Sequence, residues 1–347
     1  MWQAVGSRKR LLFSLAAALA LVLAAALYAL YADYRLFLAT PLKMSVDDFV
    51  LVVKPGMGIQ EIIQELESRQ PGLLRSPTYF ATYARLQGLS TKLKAGEYAI
   101  TPALTPRSLL DQIVNGRVVQ YPLRVVEGWT FQDLRQALAA HPKVVQTLRD
   151  VSDADLMARL GRPGEHPEGR FFPDTYHFPV GTTDEAFLRR ALAAMDRQLH
   201  KVWERRAANL PLNEPYQALI LASIVEKETG LPEERPAVAG VFTRRLQKGM
   251  LLQTDPTVIY GLGVAFDGNL RRRDLTTDTP YNTYTRKGLP PTPIALPSAA
   301  ALAAAVNPAS GDALYFVATG TGGHTFSATL EEHQRAVRRY QLKKASP

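Results

Sequence analysis

Apolar residues run almost unbroken over residues 11–32, where Ser14 is the single clearly polar side chain. A bilayer core is crossed by roughly 20 helical residues, so this stretch is long enough to span one. Beyond it the pattern becomes periodic. Phe49–Val53 predicts a strand, and residues 54–58 hold the proline and glycines of a turn. Ile59, Ile62, Ile63 and Leu66 recur at helical spacing and predict a helix over 59–67. A second amphipathic helix is expected over 76–86, a strand over 94–100 and a third helix over 108–114. Residues 118–126 read as a strand. Thr130 is placed to cap a helix over Phe131–Ala140, and Ser152 one over 153–160. Residues 168–176 are polar and aromatic with neither period, so they read as a loop that lines a site or packs between domains. Phe187, Leu188, Ala191, Leu192, Met195 and Leu199 mark one face of a long helix over 184–206, with basic residues opposite.

The next helix is apolar on nearly every side and is expected to be buried. Asn213 is its expected N-cap, Glu214 and Pro215 suit its first turn, and Gly230 followed by Pro232 stops it. Near its end it carries Glu226 and Glu228. Burial raises a carboxyl pKa unless a cation or donors compensate, and an acid still protonated near neutral pH is what a general acid requires. On the helical wheel Glu226 shares a face with Leu219, Ala222, Ser223 and Thr229, mostly small residues that leave room for a substrate. Glu228 lies on roughly the opposite face, with Gln217, Leu221 and Ile224. The wheel therefore favours Glu226 for chemistry. The alternative is that both are structural, paired with Lys227 or with Arg244 and Arg245.

Val238, Val241, Phe242 and Leu246 predict a helix over 235–248. Thr254 or Asp255 before Pro256 starts another, and helix capping is the plain role for Asp255. Residues 281–285 gather an amide, hydroxyls and two tyrosines, a set suited to sugar edges and faces; a surface turn is the alternative. A Pro-rich stretch over 288–297 is expected to be rigid and extended. Ser298 caps a helix over 299–306, and residues 314–318 form a strand. His324 follows a glycine turn, as a proton shuttle, a substrate donor or a structural residue.

Charge and flanks refine this picture. Arg8, Lys9 and Arg10 precede the apolar stretch, while Asp33, Tyr34 and Arg35 follow it. The positive-inside rule puts the N-terminus in the cytoplasm and the rest outside. A cleaved signal peptide is the rival, but the run exceeds the usual apolar region of about 7–15 residues, which favours an uncleaved signal anchor. The net charge of +9, from 41 basic and 32 acidic residues, suits an anionic partner. Arg271–Arg273 is its densest run in the soluble part and reads as a solvated loop. With no recognition motif present, a nucleic-acid partner is disfavoured. The chain has no cysteine, which excludes disulfides and thiolate metal sites.

Several of these segments together resemble the MltG-type, YceG-like endolytic murein transglycosylases. They are residues 222–228, 252–261, 281–284, 288–291 and 323–326, with 168–176 similar to that family's "EG…PDTY" segment. The resemblance implies an α+β fold in an inner-membrane, single-pass protein whose catalytic domain is periplasmic and cuts nascent peptidoglycan strands. It places the catalytic acid at Glu226. Gln253, Asp255, Tyr260, Asn282, Tyr284, His324 and Glu228 would contact the sugars, and no metal or cofactor would be required. One carboxyl suffices in such a reaction, because the substrate supplies its own nucleophile; a hydrolytic muramidase would need a second, for which Asp255 is the candidate. The β-α-α-β order near the N-terminus resembles a LysM-like sugar-binding module. The expected organisation is a cytoplasmic tail (1–10), a transmembrane anchor (11–32), a linker (33–47), a LysM-like module (48–117), a mixed α/β catalytic domain (118–340) and a C-terminal tail (341–347). A non-catalytic wall-binding scaffold for peptidoglycan synthases is the rival from another class, and the family resemblance suggests synthases as partners as well.

Overall fold

The computed structural model describes residues 3–44 and 48–342. Residues 1–2, residues 45–47 of the expected linker and residues 343–347 of the expected tail lie outside the described residues. The architecture is mixed α/β in two compact units, divided between Tyr121 and Pro122.

The first unit contains α1 (Gln3–Ala39), β1 (Phe49–Val53), α2 (Ile59–Arg69), α3 (Pro77–Leu86), β2 (Gly96–Ile100) and α4 (Pro106–Asn115). Within α1, Leu11–Ala39 is long and apolar enough to cross a membrane, and its most apolar window is wholly unburied by protein. The helix continues beyond residue 32, where the sequence pattern starts a linker, because its last turns pack into this unit. Phe37 and Leu38 are 2% and 7% exposed. The rings of Tyr34 and Phe37 meet Tyr79 at 5.6 and 5.7 Å.

β1 and β2 pair antiparallel, with Leu51 opposite Tyr98 and Val53 opposite Gly96. The period of two puts Leu51 and Val53 in the core and leaves Val50 and Val52 exposed. Helices α2 and α3 lie between the strands in sequence, giving the β-α-α-β order read from the pattern. Helix α4 starts two residues earlier than expected because Thr105 caps it, accepting the Ser108 N–H at 3.1 Å with Pro106 in the first turn.

The second unit follows with β3 (Tyr121–Arg124), whose first residue closes the first unit, then α5 (Phe131–Ala140), α6 (Asp153–Arg159), β4 (Thr175–Phe178), α7 (Asp184–Glu204) and α8 (Pro215–Glu228). Next come α9 (Arg235–Gln247), α10 (Asp255–Leu262), α11 (Arg272–Thr276), α12 (Ala299–Val306), β5 (Tyr315–Ala318), β6 (His324–Ser327) and α13 (Leu330–Val337). Helix α8 is the centre: Ala218 to Val225 are all buried, and α7, α9, α10 and α12 pack around it. The alanines of α12 allow close approach to α8.

Three local expectations change. The segment read as a loop ends in strand β4, which pairs with β3; Tyr176 and Phe178 are buried while Thr175 and His177 face out. Four residues of alternation are too few to stand out beside the aperiodic stretch before them. Arg272 and Arg273 open the short helix α11, whose Asp274 accepts the Arg271 N–H at 2.8 Å. The N-cap of α8 is Glu214 rather than Asn213, whose N–H instead donates to the Gln217 side chain at 2.7 Å.

Candidate active site

The two glutamates of α8 sit in different surroundings. The Glu226 side chain is 6% exposed and ion-paired with Arg235 of α9 at 3.1 Å. It also accepts from the Ser298 backbone N–H at 2.8 Å and from the Ser298 hydroxyl at 2.5 Å. Ser298 is the N-cap of α12, so Glu226 ties three helices together. The small residues on its face admit protein rather than substrate. The segment before α12 closes over them, and the Ile294 N–H donates to Ser223 Oγ at 3.0 Å. Both carboxyl oxygens of Glu226 are therefore engaged in structural contacts.

Glu228 is half-buried. Burial pushes its pKa up from 4.5 to about 7; the Thr254 hydroxyl, which donates to it, lowers the pKa in part, while the charge of Asp255 raises it further. Thr254 is the N-cap of α10, yet its hydroxyl makes no capping bond. It is turned toward Glu228 instead. Thr283 fixes this turn, accepting the Thr254 N–H at 3.1 Å through its hydroxyl and the Gln253 N–H at 3.0 Å through its carbonyl. Gln253 is exposed at φ 52°, a left-handed conformation uncommon outside glycine and often found at functional sites.

Asp255 is exposed at the first position of α10 and accepts from the Tyr284 hydroxyl at 2.5 Å. Burial, then the bond to Asp255, keeps that phenol protonated. His324 opens β6. Glu234 receives its ring Nδ1 at 2.7 Å and its backbone N–H at 2.7 Å. Burial works against ionisation of Glu234, but these bonds win and hold its pKa below the ordinary value. The charges of both His324 and Arg245 act on Glu228. Glu228, Thr254, Asp255 and Tyr284 thus form one electrostatic cluster around a half-buried carboxyl.

Two expected sugar contacts lie elsewhere. Asn282 is fully buried, and its amide N–H groups donate to the carbonyls of Asp274, Leu275 and Thr277. Its side-chain oxygen accepts the Tyr284 N–H at 2.9 Å, so the buried amide holds this loop together. Tyr260 donates to Glu168 at 3.1 Å and stacks edge-on against Tyr281 at 4.9 Å.

Glu168 was not among the site residues read from the sequence. It is 3% exposed, and burial pushes its pKa up to about 7 despite donors from the Phe131 N–H at 3.0 Å, Tyr260 and the Gly169 N–H. Gly169 has φ 77°, and a Cβ there would come within 2.5 Å of Pro293, so only glycine lets this loop seat. The signal in sequence was the Glu-Gly pair in an aperiodic polar-aromatic stretch. Glu168 and Tyr260 border an open cavity of about 1230 Å³ that reaches Lys227 and Pro256, the neighbours of Glu228 and Asp255.

Comparison with known proteins places the chain among relatives. Residues 51–339 match the YceG-like family. An endolytic murein transglycosylase of Streptococcus pneumoniae strain D39 is 31% identical over 88% of this chain, which spans 61% of that relative's length. The Bacillus subtilis strain 168 protein of the same name is 30% identical, covering 83% of each chain. The crystal structure of a YceG-like protein from Listeria monocytogenes superposes with a TM-score of 0.54 at 30% identity, covering 83% of this chain and 98% of that one.

Proposed function

We propose that this chain, which belongs to the YceG-like family, is an endolytic lytic transglycosylase of peptidoglycan, and that Glu228 rather than Glu226 is its acid. The observation that carries the residue assignment is the half-buried Glu228 carboxyl, with a pKa near 7 and one donor among the described residues, beside a Glu226 whose oxygens are both engaged. The names of the Streptococcus and Bacillus relatives support the reaction class.

The neutral Glu228 carboxyl protonates the β-1,4 oxygen between N-acetylmuramic acid and N-acetylglucosamine, and the C1–O bond breaks with release of the N-acetylglucosamine hydroxyl. The Glu228 carboxylate then takes the proton of the muramyl 6-hydroxyl as that oxygen bonds to C1. A 1,6-anhydro end forms, no water is consumed, and Glu228 is again neutral. Gln253, Asp255, Tyr284 and His324 surround the acid as sugar contacts. The charge of Asp255 opposes ionisation of Glu228 and favours developing positive charge at C1. Tyr260 joins them through the neighbouring cavity.

The proposal includes a single-pass inner-membrane anchor in α1, an extracytoplasmic second unit, and a LysM-like, sugar-binding role for the first unit, supported by its β-α-α-β order. Peptidoglycan synthases are the expected neighbours of an enzyme that limits strand growth.

The test is mass spectrometry of products from purified glycan strands, with the full chain in detergent beside Glu228→Gln and Glu226→Gln. Anhydro ends that vanish in Glu228→Gln and persist per folded molecule in Glu226→Gln are expected. Loss confined to Glu226→Gln would return the acid to that residue. Reducing ends would replace the transglycosylase by a muramidase using Asp255 as its second carboxylate. No cleavage would favour the wall-binding scaffold.

A further inference from the structure

The cavity beside Glu168 lies wholly in the second unit and takes no part in the proton transfers above. Its lining contains four carboxylates and several donors. Each carboxylate has partners inside the protein. Asp133 accepts from Thr130 at 2.7 and 2.8 Å. Asp153 pairs with Arg135 at 2.8 Å. Asp184 accepts the backbone N–H groups of Thr147 and Leu148, the latter at 3.0 Å. Glu168 holds Phe131 and Tyr260.

The donors are in the opposite condition. Gln132 and Gln136 lie one turn apart on the exposed face of α5, and among the described residues their amides make no hydrogen bond. The Arg149 guanidinium has no carboxylate partner among the described residues. Among the described residues, Lys227 reaches only the Gly128 carbonyl, at 3.3 Å. His166 accepts the Glu168 N–H at Nδ1, which leaves its ring proton on Nε2 as a further donor. Burial holds this imidazole neutral by lowering its pKa. What remains for a ligand is two amides, two cations and an imidazole N–H over an apolar floor that includes Phe131, Leu138 and Ile259. That set fits a chain of amide carbonyls ending in carboxylates.

We propose that this cavity is a subsite for an acidic peptide, the stem borne by the muramyl sugar next to the cleaved bond. The assignment of the peptide to a glycan stem rests on the transglycosylase reading. Placement agrees with it, since the cavity wall contains Lys227 and Pro256, each bonded in sequence to a residue of the Glu228 cluster. The stem would set which strand position is presented to Glu228.

The test is titration calorimetry on the full chain in detergent with two soluble probes that lack the cleavable linkage. One is an N-acetylglucosaminyl-N-acetylmuramic acid disaccharide carrying an acidic stem peptide; the other is the same disaccharide ending at its lactyl carboxylate. The stem-bearing probe is expected to bind about tenfold more tightly, the size of one charge-assisted hydrogen bond. Arg149→Glu and Gln136→Ala, both at exposed positions, should remove that advantage and leave the bare probe unchanged, while Arg149→Lys keeps most of it. Equal binding of both probes by the unaltered chain, or an advantage that survives both variants, would overturn the subsite. The strand digest reads the other question separately. Anhydro ends without a stem advantage remove the subsite and leave the reaction; a stem advantage without anhydro ends does the reverse.

Discussion

Replacing Glu228 by glutamine should raise stability at alkaline pH while abolishing activity. Glu228 titrates at about 7 in the folded chain against 4.5 when exposed. A raised carboxyl pKa means that the folded state binds the proton more tightly. Its contribution therefore costs nothing below pH 4.5, and stability is lost progressively as pH rises from 4.5 through 7. The rise from 4.5 to about 7 corresponds to about 3 kcal/mol at 1.36 kcal/mol per pH unit. Between pH 5.5 and 8.5 the larger part of this is lost, so about 2 kcal/mol separates the two pH values. Glutamine is a neutral isostere that can still accept from Thr254, and it removes this penalty. Urea unfolding of the second unit should thus give Glu228→Gln a stability gain over the unaltered chain that grows by about 2 kcal/mol from pH 5.5 to 8.5. Glu168 also titrates near 7, but it is common to both proteins and cancels in the difference. Activity on glycan strands should fall by roughly 10²–10⁴, as for loss of a general acid. On the proposed mechanism, the unaltered chain should lose activity as pH rises through about 7. A stability difference independent of pH, or a rate that does not fall above pH 7, would refute the argument that burial holds Glu228 as the acid.

Other outcomes follow from the same contacts. Thr254→Val removes the donor that lowers the Glu228 pKa, so the alkaline limb of the pH–rate profile should move to higher pH, not lower. Glu226→Gln should leave Arg235 without its buried partner and cost about 3–5 kcal/mol in chemical denaturation. A chain begun at residue 40 loses the buried Phe37 and Leu38 and should melt with the first unit destabilised by at least about 3 kcal/mol, whereas one begun at residue 33 keeps both.

Much of this protein follows from sequence alone. Residues whose partners lie within one or two turns declare themselves: Thr130, Ser152 and Ser298 cap their helices where their side chains predict, because a cap needs only the next three residues. The apolar N-terminal stretch, the burial of α8 and the β-α-α-β order are equally legible, since each depends on local period or length. The family follows from several motifs in order. Tertiary structure decides which carboxyl is tied up by the protein and which is held with a raised pKa. A helical wheel separates the faces of Glu226 and Glu228 but cannot say what covers either one. The small residues beside Glu226 signalled space, and that space is taken by a segment some 70 residues later, down to Ser298. The proton affinity of Glu228 is set by Thr254, Asp255, His324 and Arg245, all distant in sequence, together with loss of water that no single residue determines. Asn282 likewise looks like a sugar ligand until three carbonyls are found around its amide. Desolvation and hydrogen-bond occupancy are sums over neighbours brought together by folding, and local sequence period carries no record of them.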